Sequence, residues 1–190
     1  MQRKVLAVTA LLFASVVNAE VRTIEVSKNR AVSIDAPSEW EQSIIPAEPG
    51  LPMNKVVLKK DINSQVQIMF IPITPDTPIN KYKTPDDYVE FVHKMSCMQY
   101  VEVSVEGRYS EKKEQVGELI GYETIFNDPS YVSAPPPPHE YKTVSRLTYM
   151  VGSAASGVIA SVVLLSQGTE GDDYKKMREI VNSIKLSVTN

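Results

Sequence analysis

The run Val158-Ile-Ala-Ser-Val-Val-Leu-Leu165 is apolar at odd and even positions alike. Successive side chains of a strand point to opposite faces, so such a run is stable only where both faces are covered. The chain therefore needs a sheet whose central strand is packed on each side. Thr143 to Val151 precedes it as a second strand, and Gly152 and Gly157 flank a small-residue turn between the two. At 190 residues, with 43% hydrophobic and 23% charged, the chain has enough apolar material for one ordinary core.

The first nineteen residues read as a cleaved export signal rather than as part of that core. Arg3 and Lys4 form a short basic start, and Val5 to Val17 is apolar but shorter than a comfortable membrane span. Val17 and Ala19 are the small residues a signal peptidase requires, which places the cut before Glu20. No cysteine stands at the cut and there is no twin-arginine pair. Removing residues 1–19 takes two basic residues and no acid, moving the net charge from −3 to −5. An acidic chain has no electrostatic case for nucleic acid or an anionic membrane surface. Cys97 stands alone, so no internal disulfide staples the fold and a core must hold it. Periplasmic localisation by a Sec-type route is the expectation, with residues 20–190 forming one domain.

Val21, Ile24 and Val26, then Ala31 to Ala36, predict two strands around a turn at Asn29. Lys55 to Lys60 and Gln65 to Ile73 predict two more. Thr84-Pro85-Asp86-Asp87 is a helix start, with a cap, a proline suited to the first turn and two acids at the positive end. Tyr88, Phe91, Val92 and Met95 then form an apolar stripe expected to face the sheet. Val101, Val103 and Val105 alternate with polar residues as a strand. Val116 to Phe126 reads as another, with Val116, Ile120, Tyr122 and Phe126 on one face. Asn127 to Glu140 reads as a long loop. Asp172 and Asp173 open a closing helix whose Tyr174, Met177, Val181 and Ile184 repeat at helical spacing. Phe91 and Val181 are thus the expected core residues of the two helices. Hairpin-linked strands with two helices give an α+β class, an antiparallel sheet with helices packed on it.

Several of these features together resemble the PsbP-like superfamily, including the bacterial DcrB-like periplasmic proteins. They are an early strand running into Pro37-x-x-Trp40, the Thr-Pro-capped helix in mid-chain, and Gly121 within Val-Gly-Glu-Leu-Ile-Gly-Tyr-Glu. The closing Tyr174-x-x-Met177, Ile180, Ser183 and Ile184 complete the set. The resemblance spans most of residues 20–188. It implies an α/β/α sandwich, a central antiparallel sheet flanked by two main helices. It also implies a non-catalytic binding or docking module, with no catalytic residues to carry over and an open choice of partner.

Motifs for chemistry are missing. His93 and His139 are the two histidines, and no Gly-x-Ser-x-Gly elbow, HExxH, P-loop or GxGxxG occurs. No catalytic residue, cofactor or metal site is assigned. Asp86, Glu90, His93 and Cys97 fall on one face of the mid-chain helix, opposite the apolar stripe. Only His93 and Cys97 are close enough to share an ion, and the face is expected to be solvated. The same periodicity turns Cys97 outward if the helix reaches it, which would permit a disulfide-linked dimer. A helix ending earlier leaves the thiol buried and inert. The loop is the remaining surface, either a stiff connection or a docking element. Pro135, Pro136, Pro137 and Pro138 favour extended polyproline II, with Tyr131, His139 and Tyr141 beside them. These seven are the candidate partner-binding residues.

The function expected is an exported accessory module that contacts another protein. The alternatives are a periplasmic immunity protein that neutralises a secreted antibacterial toxin, and an uncharacterised hydrolase. A neighbouring gene for a cell-wall hydrolase would favour the first alternative; a deep pocket with converging polar groups would favour the second.

Overall fold

The computed structural model describes residues 19–27, 29–46, 55–101, 109–116, 119–127 and 142–188. Ten strands and two α-helices are ordered β1 Ala19–Ser27, β2 Arg30–Pro37, β3 Glu41–Ile45, β4 Lys55–Asp61, β5 Ser64–Pro72, α1 Pro85–Val101, β6 Tyr109–Val116, β7 Leu119–Asn127, β8 Thr143–Val151, β9 Val158–Ser166, α2 Asp172–Asn182 and β10 Lys185–Val188. A short 3-10 turn, Pro78–Lys81, leads into α1.

Seven strands form the main sheet in the order β3-β4-β5-β9-β8-β7-β6, antiparallel throughout. The doubly apolar β9 lies at its centre, as its pattern demands. α1 packs across β7, β8 and β9 on one face, and α2 covers β5 and β9 on the other. A second antiparallel sheet, β1-β2-β10, shares the α2 side. Ile24, Val32 and Ile34 from that sheet join Met177, Ile180 and Val181 of α2 and the inner residues of β4, β5, β8 and β9 in the main core. The fold is an α+β sandwich with a helix on each face of a central antiparallel sheet.

Local chemistry sets the element boundaries. The Thr84 hydroxyl accepts the Asp87 N–H at 3.2 Å, and the Asp87 carboxylate accepts the Thr84 N–H at 3.0 Å. This reciprocal cap starts α1. Trp40 is buried on a turn closed by its own N–H to the Pro37 carbonyl, and Arg22 donates to both carbonyls of that turn. Gly152 takes φ +86° in the β8–β9 turn, where a Cβ would also lie 2.7 Å from Leu186.

Four expectations need correction. Val116 to Phe126 is two strands, with β6 ending at Val116 and β7 starting at Leu119. β6 carries Glu-Lys-Lys-Glu and shows no apolar alternation. It is an edge strand whose charges suit an edge. Val101 ends α1 rather than opening a strand, and 102–108 lie outside the described residues. β3 and β10 were not foreseen: β3 is exposed along its whole length and β10 is four residues long.

The fourth correction is the orientation of α1. Phe91 is 43% exposed and Met95 is 54% exposed. The helix instead buries Tyr88, Val89, His93 and Cys97. The sheet explains this rotation. Thr124 of β7 and Thr148 of β8 point up beneath the helix and accept a polar residue, whereas Tyr88 finds its apolar neighbours in Ile73, Ile79 and Ile159 at one end. Val181 is buried as expected. Val181→Ala is therefore expected to cost on the order of 2 kcal/mol, and Phe91→Ala less than about 1 kcal/mol. Urea midpoints measure both, and equal losses would contradict the orientation of α1.

Candidate functional site

Strands β7 and β8 carry polar side chains on both of their faces, so each helix covers a polar cluster. On the α1 side, His93 uses both ring nitrogens. Nδ1 lies 3.1 Å from the Thr148 hydroxyl and Nε2 lies 2.8 Å from the Thr124 hydroxyl. A neutral imidazole donates through one nitrogen and accepts through the other, so the pair of threonines satisfies it completely. The Cys97 sulfur is 3.7 Å from Nε2, one helical turn along. Burial, aided by the Arg146 charge, lowers the His93 pKa to about 4. Burial also pushes the Cys97 thiol above its ordinary value.

These values decide what the cluster does. A nucleophilic cysteine needs its thiolate, and Cys97 is held as a thiol. A general base working near neutrality needs a free nitrogen and a pKa near 7, and His93 has neither. The cluster is a neutral polar seam that seats α1. This corrects the expectation of a solvated face: His93 and Cys97 are 4% and 2% exposed, while Asp86 and Glu90 sit half-buried at the rim. It also answers the open question of Cys97, whose thiol is enclosed and unavailable for a disulfide-linked dimer without opening α1. Among the described residues, no group of three or more His, Cys, Asp or Glu is arranged to hold a metal ion.

On the α2 side, the buried residue is Glu123, 1% exposed. Ser145 donates to it, as do Tyr174 at 3.0 Å and Arg178 at 2.9 Å, all on Oε1. Lys112 lies 3.1 Å from Oε2. Arg178 and Lys112 also hold Glu114, at 3.0 and 2.8 Å. Burial alone raises the Glu123 carboxyl. Ser145, the Arg178 charge and Lys112 outweigh it and hold the group below the ordinary carboxylate value. The network ties α2 to the β6–β7 edge of the sheet. Sequence reasoning missed Glu123. Its one signal is a charged residue inside the mostly apolar stretch Leu-Ile-Gly-Tyr-Glu-Thr-Ile-Phe.

The outer surface of α1 carries large apolar side chains beside the Glu90–Lys94 ion pair. Phe91, Met95 and Met98 are 43%, 54% and 48% exposed, and their spacing places them along one outward line. Phe91 rests against Tyr82, with ring centroids 5.5 Å apart. The residues expected to bind a partner, Tyr131, Pro135, Pro136, Pro137, Pro138, His139 and Tyr141, lie outside the described residues. No described helix is long and apolar enough to cross a membrane.

No family model matches the chain, and no curated protein matches it. Solved structures similar to it include LpqN, involved in cell envelope biogenesis of Mycobacterium tuberculosis. That match covers 89% of this chain and 91% of that one at 9% identity and a TM-score of 0.45. Another is cyanobacterial PsbP (CyanoP) from Synechocystis sp. PCC 6803. It covers 91% of this chain and 96% of that one, at 11% identity and a TM-score of 0.48.

Proposed function

We propose that the chain is an exported, non-catalytic accessory module of the DcrB-like kind that works by docking another protein in the periplasm. The observation that carries this reading is the apolar outer line of α1. The helix turns His93 and Cys97 inward and leaves Phe91, Met95 and Met98 facing out. A row of large apolar residues on a helix surface marks a contact site, and methionine adapts its shape to a partner. The buried His93 and Cys97 support the non-catalytic half of the reading, because neither is available as base or nucleophile. The proposal extends to Tyr131, His139 and Tyr141 around Pro135–Pro138 as a second part of the contact, on the sequence grounds given above. It also includes removal of residues 1–19 during export.

The test uses a photoreactive residue in place of Met98, with one in place of Lys176 on α2 as the control. In cells, the first is expected to form a discrete cross-link to an envelope protein and the second is not. Adding Phe91→Ser and Met95→Ser is expected to abolish that cross-link while leaving the urea midpoint nearly unchanged, as surface substitutions do. A cross-link that survives both serines, or one formed equally from position 176, overturns the reading.

A further inference from the structure

The two edges of the main sheet differ in character. β6 presents Glu111, Lys112, Lys113 and Glu114 in succession, the kind of charge that keeps an edge from pairing with another chain. β3, at the other end, carries Glu41 as its one charge and is exposed along all five residues. Ile44 and Ile45 are 49% and 42% exposed. The β3–β4 register runs without a bulge, so nothing twists this edge away from a newcomer. An edge strand keeps a row of backbone N–H and C=O groups outside the ladder, and β3 is open to a further strand.

The charges on β3 and β4 select that strand. Glu41 lies opposite Lys59, and Ile45 lies opposite Lys55, all on the face away from the buried Val56 and Leu58. Among the described residues, Glu41 and Lys55 belong to no ion pair. Burial, and then the Arg146 charge, lower the Lys55 pKa, so a carboxylate brought beside it is favoured. We propose that a second copy of the chain adds its own β3 antiparallel to this one, about a two-fold axis at Ser43, and joins the two main sheets. All five residues pair in this register, and Glu41 stands opposite Ile45 of the second copy. The row across the interface then reads Lys59, Glu41, Ile45 of the second copy and Lys55 of the second copy. Glu41 and that lysine are two strand spacings apart, about 10 Å between backbones, and their side chains can meet over the isoleucine. The two-fold axis repeats the contact, so the pairing is self-complementary and closed. A shift of two residues either way moves Glu41 off that row. On the other face, Ile44 gains Gln42 of the second copy as its cross-strand neighbour. α1 packs on β7, β8 and β9, so its outer apolar line stays free in such a dimer.

The experiment is sedimentation equilibrium of the purified chain, joined to cysteine cross-linking. A single pair of short strands is small beside a standard interface, so a weak dimer is expected, with Kd near about 100 µM. Glu41→Lys is expected to weaken it about tenfold, because like charges then share the row, and to leave the melting temperature nearly unchanged at so exposed a site. Adding Lys55→Glu to Glu41→Lys is expected to restore the association. Ser43→Cys, which meets itself on the axis, is expected to give a covalent dimer with diamide as oxidant. Gln42→Cys is not, because its two copies are offset along the strands beyond disulfide reach. The proposal is overturned by a chain that stays monomeric to about 1 mM, by a dimer that Glu41→Lys leaves intact, or by equal cross-linking from positions 42 and 43. A dimer that is lost in Phe91→Ser with Met95→Ser but kept in Glu41→Lys overturns it too, by placing self-association on α1.

Discussion

Arg178→Met is expected to destabilise the protein by about 3 kcal/mol. The substitution keeps most of the side-chain volume and removes the charge that faces Glu123 at 2.9 Å. Glu123 then remains 1% exposed with two neutral donors, Ser145 and Tyr174, and the half-exposed Lys112. Breaking a buried pair from one side is costly because the remaining charge is left in a medium that solvates it poorly. The complementary Glu123→Gln is expected to cost less, about 1 kcal/mol, since the amide keeps the shape and accepts from the same hydroxyls. The double variant Glu123→Leu with Arg178→Met is expected to recover part of the loss of Arg178→Met alone, because no buried charge remains. Urea unfolding measures all three, provided the slope stays constant. An Arg178→Met loss below about 1 kcal/mol would mean that the network is a solvated surface pair and does not anchor α2.

The two clusters show what was legible in the sequence and what was not. β8, β9 and the start of α1 were readable because their signals are local: an apolar run, a glycine-bounded turn, a Thr-Pro-Asp-Asp cap. β6 was not, because an edge strand is selected for charge and carries no apolar period. The face of α1 was misread for a different reason. Helical periodicity shows that a stripe exists but takes for granted that the apolar stripe is the inner one. The information that reverses it lies in Thr124 and Thr148, which are 31 and 55 residues from His93 in sequence. Nothing in the local pattern links them. Glu123 was hidden in the same way, its cation lying 55 residues downstream on α2. The seven residues proposed around the proline run lie outside the described residues, so α1 carries the described part of the proposed docking surface.

Stability is expected to fall as the pH drops from neutrality, and His93 is the cause. Its pKa is about 4 in the folded protein against an ordinary 6.5. Above pH 6.5 the ring is neutral folded or unfolded, and its contribution is fully present. Below that the unfolded chain takes up a proton that the folded chain refuses, so stability declines until the folded pKa is reached. The whole loss is about 3 kcal/mol, and about 2 kcal/mol of it falls between roughly pH 7 and pH 5. Arg146 and Lys94 oppose the charged ring, and Glu123 and Glu90 favour it. Burial is the largest cause, because the enclosed ring is poorly solvated when charged. Glu123 and Asp173 also lose stabilising contacts on acidification. Their folded pKa values are depressed, so their effect lies below the ordinary carboxylate range and outside this window. His93→Gln retains a donor and an acceptor but cannot titrate. The variant is expected to be less stable than the wild type at neutral pH, yet nearly flat between about pH 7 and pH 5, where the wild type slopes. Parallel curves for the two proteins across that interval would show that the seam beneath α1 admits the charged imidazole, and that α1 is not held to the sheet by a neutral histidine.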